Sequence, residues 1–233
     1  MFAINSQLIL LVCICTIWIS ISTANFTAET TNLAFSYDNV HVAVNVMPER
    51  FVYLASNTGS RSYVMKYDVT AELGVGRLEL PAGNTYAGAA DPTNTYAYFT
   101  ADSGNGALVT RVCLSTFTVC GSVTLPPQFT QPRTASVIGD YLLLGMHTSP
   151  ASVARVKATA TEFAFQDSLI LPSGTFVISA TADPDSSFYY VGTSDSPAKI
   201  YRIDLTGFTI NDTMTLQSGE DEATTLQLVA SMF

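Results

Sequence analysis

One pattern of segments is repeated four times between Arg50 and Leu216, at a spacing of about 45 residues. Each copy opens with a short aromatic or aliphatic segment: Phe51–Leu54, Tyr96–Phe99, Tyr141–Leu144 and Phe188–Val191. Each continues with a basic residue among β-branched or aromatic neighbours: Lys66, Arg111, Arg155 and Arg202. Each closes at a leucine that ends an alternating segment: Leu80, Leu125, Leu171 and Leu216. A repeat of this length is typical of the four-stranded blades of a β-propeller, so an all-β fold is predicted.

The second copy shows how one repeat divides into four strands. These are predicted at 86–90, 96–100, 108–114 and 119–125, between stretches rich in Asp, Asn, Ser, Gly and Thr that favour tight turns. The same phase places the blades at about 40–80, 86–125, 135–171 and 177–216. Residues 224–231 read as the opening strand of another blade. We therefore predict four complete blades and a partial blade at 224–233, within one domain at 25–233.

Two arrangements would complete this predicted ring. Residues 25–37 could supply an outer strand that closes four or five blades, or the chain is a fragment of a longer propeller, which is the arrangement that we favour. An open blade edge has unpaired backbone groups that can bind another strand. Self-association through open edges, including pairing of two half-rings, is therefore a third arrangement.

The N-terminal segment is predicted to be a secretory signal peptide at 1–24. An apolar run at 8–21 is followed by Ser22, Thr23 and Ala24, small residues suited to cleavage before Asn25. The run is too short for a stable membrane span, although the lack of Lys or Arg before it leaves an uncleaved anchor open. The expected location is secreted, or extracellular.

The net charge indicates which class of partner is disfavoured, and the cysteines indicate the redox compartment. Ten basic against nineteen acidic residues give a net charge of −9, which disfavours nucleic acid as a partner because phosphate binding needs a basic surface. Cys13 and Cys15 would leave with the signal peptide, so Cys113 and Cys120 remain. They flank a predicted hairpin and are expected to form a disulfide in an oxidising compartment, with two free thiols as the alternative.

The repeat resembles that of YVTN-type and related seven-bladed β-propeller proteins. The resemblance lies in the pattern ADP-x-x-x-YAYF at 90–99, then V-x-R-V at 109–112 and S-V-T-L-P at 122–126, and it extends from about Val40 to the C-terminus. Residues 47–49 and 138–140 depart from it, since blades two and four have Asp-Pro at those turns. Such repeats occur in surface-layer, lactonase-like and uncharacterised secreted proteins, so the resemblance implies a fold and no single activity.

The repeated basic residues Lys66, Arg111, Arg155 and Arg202 are the first candidate binding site. One cation per blade would either ring the central axis, where it could bind an anion, or form a layer between blades. A buried guanidinium needs a partner, so pairing with a carbonyl or a carboxylate is the interpretation that we favour. The candidate carboxylates are Asp68, Asp91, Asp183 and Asp204.

Histidine, carboxylate and sequon positions complete the list of candidates. His147 lies in a predicted loop and is a candidate binding residue, whereas His41 lies in a predicted strand. No catalytic motif accompanies either, and the acidic residues at 220–222 lack the spacing of a calcium loop, so no catalytic residue, metal or cofactor is predicted. Asn25 and Asn211 begin acceptor sequences for N-linked glycans.

These features favour a secreted, non-enzymatic β-propeller that binds an extracellular protein or glycan through its loops. A lactonase-like hydrolase is the alternative that the resemblance implies, and it would have to gather His147 or several carboxylates with Arg111, Arg155 or Arg202 in one pocket. A gene fragment without independent function is the third hypothesis.

Overall fold

The computed structural model describes residues 39–46, 50–58, 61–81, 83–173, 175–183, 187–224 and 226. The predicted signal peptide, Asn25, the turn at 47–49 and nearly all of the predicted partial blade lie outside these residues. Within them the chain forms sixteen β-strands in four antiparallel sheets of four strands each. The structure contains no helix in these ranges that could span a membrane.

Each sheet is a meander in which consecutive strands pair in sequence order. Blade 1 consists of β1 Asn39–Asn45, β2 Phe51–Thr58, β3 Arg61–Asp68 and β4 Leu73–Leu80. Blade 2 consists of β5 Thr85–Ala90, β6 Tyr96–Asp102, β7 Ala107–Cys113 and β8 Thr118–Thr124. Blade 3 consists of β9 Pro132–Ile138, β10 Tyr141–Met146, β11 Ser152–Ala158 and β12 Phe163–Ile170. Blade 4 consists of β13 Val177–Ala182, β14 Phe188–Thr193, β15 Lys199–Asp204 and β16 Thr209–Thr215. The predicted all-β architecture with four four-stranded blades is confirmed.

Turn chemistry explains why the strands end where they do. Asp91 accepts hydrogen bonds from the Tyr96 backbone N–H and the Thr93 hydroxyl, which closes the turn before β6, and Asn94 adopts a φ of 57° within it. The β3–β4, β7–β8 and β15–β16 hairpins each have a left-handed residue at the same turn position: Glu72, Phe117 and Phe208. Short antiparallel hairpins of this kind hold each blade together locally.

The blades stack side by side through their first strands. Strands β1, β5, β9 and β13 lie next to one another in that order, and a separate apolar core fills each of the three junctions between consecutive blades. Middle strands are therefore buried on both faces: in β6, Tyr98 is 0% exposed toward blade 3 and Phe99 is 1% exposed toward blade 1. Each outermost strand pairs with one neighbour among the described strands, and β16 is almost entirely exposed.

Every blade has a β-bulge in its outermost strand, directly beside the residue that pairs with the repeated cation. The register skips one residue there in each blade: Val75, Cys120, Gln166 and Asn211. A bulge adds one unpaired residue to a strand and changes the direction of its side chain. The repeat therefore gives each blade an equivalent bulge position at its outer rim.

The disulfide between Cys113 and Cys120 is present. The two residues are not directly opposite each other, because Cys113 pairs with Thr118 and Cys120 is the bulge residue of β8. The bulge brings their Cα atoms to 5.8 Å, within the range of disulfides. The bond therefore links the two outer strands of blade 2 only.

Candidate ligand-binding site

The repeated cations lie on the third strand of each blade and are used in packing between blades. Arg111 is the clearest case. Its guanidinium carbon lies 4.8 Å from the ring centre of Tyr96 in its own blade and 4.9 Å from that of Phe163 in blade 3. Its Nη1 donates to the carbonyl of Thr159, also in the last hairpin of blade 3, at 2.7 Å. Arg111 is therefore held between two aromatic rings from neighbouring blades.

Arg155 repeats this arrangement one blade later. Its guanidinium carbon lies 4.8 Å from the Tyr141 ring and 4.3 Å from the Phe208 ring of blade 4, and Nη1 donates to the Leu205 carbonyl at 3.0 Å. Asp167 on β12 accepts from Nε at 2.8 Å and from Nη2 at 2.5 Å. This hydrogen bonding raises the pKa of Arg155, so the side chain stays charged. We call each such cation, with its two flanking rings, an inter-blade sandwich.

The first and last cations form incomplete versions of the inter-blade sandwich. Lys66 Nζ lies 3.9 Å from the ring centre of Phe51, while Phe117 of blade 2 packs on Tyr53 at 5.8 Å between ring centres. Arg202 lies 4.9 Å from the Phe188 ring and donates to the side-chain oxygen of Asn211. No ring from a following blade covers Arg202 among the described residues, and its side chain is 38% exposed.

The structure does not gather these cations at one point. Each lies in its own blade junction or face, away from the first strands that adjoin one another. Three of the carboxylates predicted as their partners have other contacts. Asp68 pairs with Arg50 at 3.0 Å, Asp91 caps the turn before β6, and Asp204 accepts from the Thr206 backbone N–H. An anion site built from Lys66, Arg111, Arg155 and Arg202 together is therefore inconsistent with their positions.

His147 is placed differently, beside three residues that sequence reasoning did not select. Its ring stacks on that of Phe176 with 3.9 Å between ring centres and 9° between ring planes. Arg133, near the start of β9, lies over Tyr86, near the start of β5, at 4.7 Å from its ring centre. The His147 backbone N–H donates to the Gln131 carbonyl, which fixes the loop against β9. We call Tyr86, Arg133, His147 and Phe176 the aromatic–cationic row.

The aromatic–cationic row crosses three blades at one end of the first strands. Tyr86 and Arg133 are the second residues of β5 and β9, Phe176 immediately precedes β13, and His147 immediately follows β10. These positions belong to the blade ends at which β5, β9 and β13 begin. Residues from different blades are therefore brought together by the fold, as in the mouth of a propeller channel.

Arg133 gives the row an accessible positive charge. All ten Lys and Arg residues fall within the described ranges. Arg133 is exposed, and within those ranges no carboxylate lies at ion-pair distance from it and no acceptor hydrogen-bonds to it. The Tyr86 ring centre lies 4.7 Å from its guanidinium carbon, and its N–H donors are open to a ligand among the described residues. Partial burial, with Arg133 nearby, lowers the pKa of His147, so His147 is neutral at physiological pH.

The loop that presents Phe176 is fixed to blade 4 by two sets of hydrogen bonds. The Ser173 hydroxyl contacts Lys199 Nζ at 2.5 Å and the Tyr201 hydroxyl at 2.7 Å. Asp195 accepts from the Thr175 backbone N–H at 3.1 Å. These contacts hold the loop directly before Phe176 and pre-organise its ring against His147.

The row presents groups that can form hydrogen bonds and stacking contacts with a ligand. A planar guanidinium presents paired donors that match a carboxylate, and the His147–Phe176 stack adds a flat, mostly apolar surface. The Ser173 hydroxyl, in the loop before Phe176, receives a hydrogen bond from Lys199 Nζ. Among the described residues, no three His, Cys, Asp or Glu side chains are grouped to hold a metal ion.

Two signals in the sequence could have pointed to parts of this arrangement. A phenylalanine follows the repeated arginine by six residues in blades 2 and 4, at Phe117 and Phe208, and marks the hairpin ring of the sandwich. Arg133 is a basic residue outside the repeated position, near the start of a predicted first strand. Nothing in the sequence shows that Tyr86 and Phe176, ninety residues apart, lie on either side of it.

Comparison with known proteins identifies the fold. No family model and no curated protein matches the chain. Hydrazine synthase of Kuenenia stuttgartiensis is similar in structure with a TM-score of 0.68 and 9% sequence identity, over 81% of this chain and 52% of that one. The β-propeller domain of Cps50 (Swd1) of Myceliophteria thermophila gives a TM-score of 0.63 and 13% identity, over 85% of this chain and 62% of that one. The chain thus spans between half and two thirds of the solved structures that it matches, and it adopts a β-propeller fold.

Proposed function

We propose that this protein is a secreted, non-enzymatic β-propeller that binds an extracellular protein or glycan through the aromatic–cationic row. The observation that carries the proposal is the exposed guanidinium of Arg133, stacked on Tyr86 and adjacent to the His147–Phe176 pair. A propeller scaffold supports this role because its loops surround a rigid core and can change without disturbing the blades.

Three features support secretion. The apolar run at 8–21 followed by small residues is the pattern of a signal peptide. The disulfide between Cys113 and Cys120 is the kind of bond that persists in oxidising compartments. The similarity of the repeat to YVTN-type proteins, which include secreted and surface-layer members, points to the same location.

Binding is favoured over a lactonase-like hydrolysis because the polar groups needed for hydrolysis are dispersed. Arg111 and Arg155 are enclosed in inter-blade sandwiches, and Arg202 lies on the far face of blade 4. His147 contacts Phe176 and no carboxylate among the described residues. A hydrolase would need an activated nucleophile or water beside these groups.

A carboxylate is the ligand group that the row fits best. The Arg133 guanidinium can donate two parallel hydrogen bonds to a carboxylate, while the neighbouring rings pack against the apolar face of a sugar or a side chain. Acidic side chains of a protein and uronic or sialic acids of a glycan both provide that group. The overall charge of −9 would repel a densely acidic polymer, so an isolated carboxylate is expected.

The test is binding of the purified full-length secreted protein to arrays of oligosaccharides and of extracellular proteins. The Arg133→Gln variant should lose at least about tenfold in affinity for any ligand found, since one charge-assisted hydrogen-bond pair contributes about 1.5–3 kcal/mol. Arg61→Gln is the matched control, because Arg61 is also exposed but pairs with Glu79 on blade 1. Equal binding by Arg133→Gln and the wild type would contradict the proposal.

A further inference from the structure

Asn211 lies at the bulge position of β16, the most exposed strand of the described structure. It begins the sequence Asn211-Asp212-Thr213, an acceptor for N-linked glycans. All residues of β16 except Ile210 are exposed, and Met214 is 60% exposed. We propose that Asn211 carries an N-linked glycan that projects from the rim of blade 4 and shields this edge strand from pairing with other molecules. The proposal relies on entry into the secretory pathway, which is part of the proposed function.

Arg202 fixes the orientation of the Asn211 side chain. Its Nε donates to the Asn211 oxygen at 2.8 Å, and its Nη2 contacts the same oxygen. A guanidinium has donors only, so the amide oxygen and not the amide nitrogen must face it. The nitrogen, which is the atom that carries a glycan, is thereby directed away from Arg202.

The equivalent bulge positions show that the rim has space for an attached group. Val75 is 44% exposed and Gln166 is exposed, although each belongs to a blade whose next face is covered by the following blade. A side chain at this position therefore stays in solvent in blades 1 and 3, whereas Cys120 of blade 2 is half-buried in its disulfide. A glycan at Asn211 is compatible with the blade packing that the structure shows.

The glycan would also leave the aromatic–cationic row open. Asn211 lies in the outermost strand of blade 4, whereas Tyr86, Arg133 and Phe176 lie at the first strands, on the opposite edge of their blades.

Attachment joins the Asn211 amide nitrogen to the anomeric carbon of a lipid-pyrophosphate-linked oligosaccharide. The bond from that carbon to the pyrophosphate oxygen breaks, the lipid pyrophosphate leaves, and the amide loses one proton.

Shielding follows from the nature of an edge strand. Among the described residues no strand pairs with the outer side of β16, and edges with such unpaired backbone donors and acceptors pair with other chains unless they are blocked. Asn211 is the third of the seven residues in β16, so a bulky glycan there covers its middle. Strands β4, β8 and β12 have fewer exposed residues than β16, and none contains an acceptor sequence.

The first test is glycan occupancy of the full chain expressed in a eukaryotic cell line and collected from the medium. Peptide mass spectrometry should find the Asn211 peptide glycosylated in the wild type and in Thr213→Ser, which keeps the acceptor sequence. Thr213→Ala should abolish modification at Asn211 and leave Asn25 unaffected. Secreted, folded protein with unmodified Asn211 would overturn this inference alone, while retention inside the cell would overturn the proposed secretion as well.

The second test compares self-association of the same two variants by light scattering after size-exclusion chromatography. Thr213→Ser should elute as a single species, and Thr213→Ala should form larger species in increasing amounts as its concentration rises. Enzymatic removal of the glycan from folded wild-type protein should have the same effect without any substitution. Glycosylated Asn211 combined with identical elution of both variants and of the deglycosylated protein would overturn the shielding role.

Discussion

At the scale of single residues, Arg111 and Arg155 differ from Arg133 in the number of aromatic rings that contact the guanidinium. Arg111 and Arg155 each have a ring from the next blade on one side and a ring of their own blade on the other. Arg133 lies over the single ring of Tyr86 among the described residues, and no carboxylate in them is at ion-pair distance from it. The first arrangement stabilises the junction between blades, and the second leaves the charge available to a ligand.

The titration of His147 tests the environment of the row. We expect its pKa to lie below the ordinary value of 6.5, because burial and the charge of Arg133 disfavour the protonated ring. NMR titration of the His147 ring should show this, and Arg133→Gln should raise the pKa. A His147 pKa at or above 6.5 in the wild type, or one that Arg133→Gln leaves unchanged, would contradict the proximity of the two groups.

The lowered pKa of His147 makes the stability of the folded protein depend on pH. Because the pKa is lower in the folded state than in the unfolded state, the unfolded chain binds more protons as the pH falls below about 6.5. The contribution of His147 to folding is therefore fully present above pH 6.5 and is lost as the pH falls through the folded pKa. Arg133→Gln should reduce this loss.

At the scale of strands and hairpins, the outer hairpin of one blade packs on the third and fourth strands of the preceding blade. Gly76 on β4 lies opposite Lys66, and a Cβ atom added there would come within 2.9 Å of the Phe117 ring of blade 2. Gly121 occupies the equivalent position in blade 2, with Phe163 of blade 3 at 3.2 Å. Small residues at these positions allow the hairpin rings to approach.

Replacement of Gly76 tests this close approach. Gly76→Ala should lower the free energy of unfolding by about 1–2 kcal/mol, because the Phe117 ring must move out of its packed position. Gly207→Ala is the matched control, since its nearest neighbour would be at 3.4 Å, an ordinary contact, and it should be close to neutral. Denaturant unfolding of both variants gives the comparison. Equal stability of the two would show that the hairpin ring does not depend on the glycine.

Strand positions were predictable from the sequence, and the bulges were not. The aromatic anchors placed β6 and β10 correctly at Tyr96 and Tyr141, because β-branched and aromatic runs between turn residues are a local signal. The bulges at Cys120 and Asn211 depend on the register between two strands, which local sequence does not specify. The disulfide pairing was expected from the hairpin alone, but the bulge is what brings Cys120 to Cys113.

At the scale of the whole molecule, the three apolar cores between consecutive blades hold the described structure together. The repeat predicted the blades, but the residues that meet at the end of the first strands come from three of them. Tyr86 and Arg133 share the second position of their first strands, but one is a ring and the other a cation, and Phe176 lies before its strand, so a repeated residue type could not select them. The repeated cations were visible in the sequence as a group, and only the packing of blades shows that Arg111 and Arg155 lie between rings of neighbouring blades.

The distinction between cations that pack between blades and the cation that is open to a ligand can be tested most directly by denaturant unfolding. The measurement compares the free energies of unfolding of Arg111→Gln and Arg133→Gln. The free energy of unfolding of Arg111→Gln should be about 2 kcal/mol below that of the wild type. The substitution removes two ring contacts and a hydrogen bond to the Thr159 carbonyl in the next blade. Arg133→Gln should stay within about 0.5 kcal/mol of the wild type, as expected for an exposed residue without polar partners among the described residues. A loss for Arg133→Gln as large as that for Arg111→Gln would contradict the assignment of Arg133 to ligand binding.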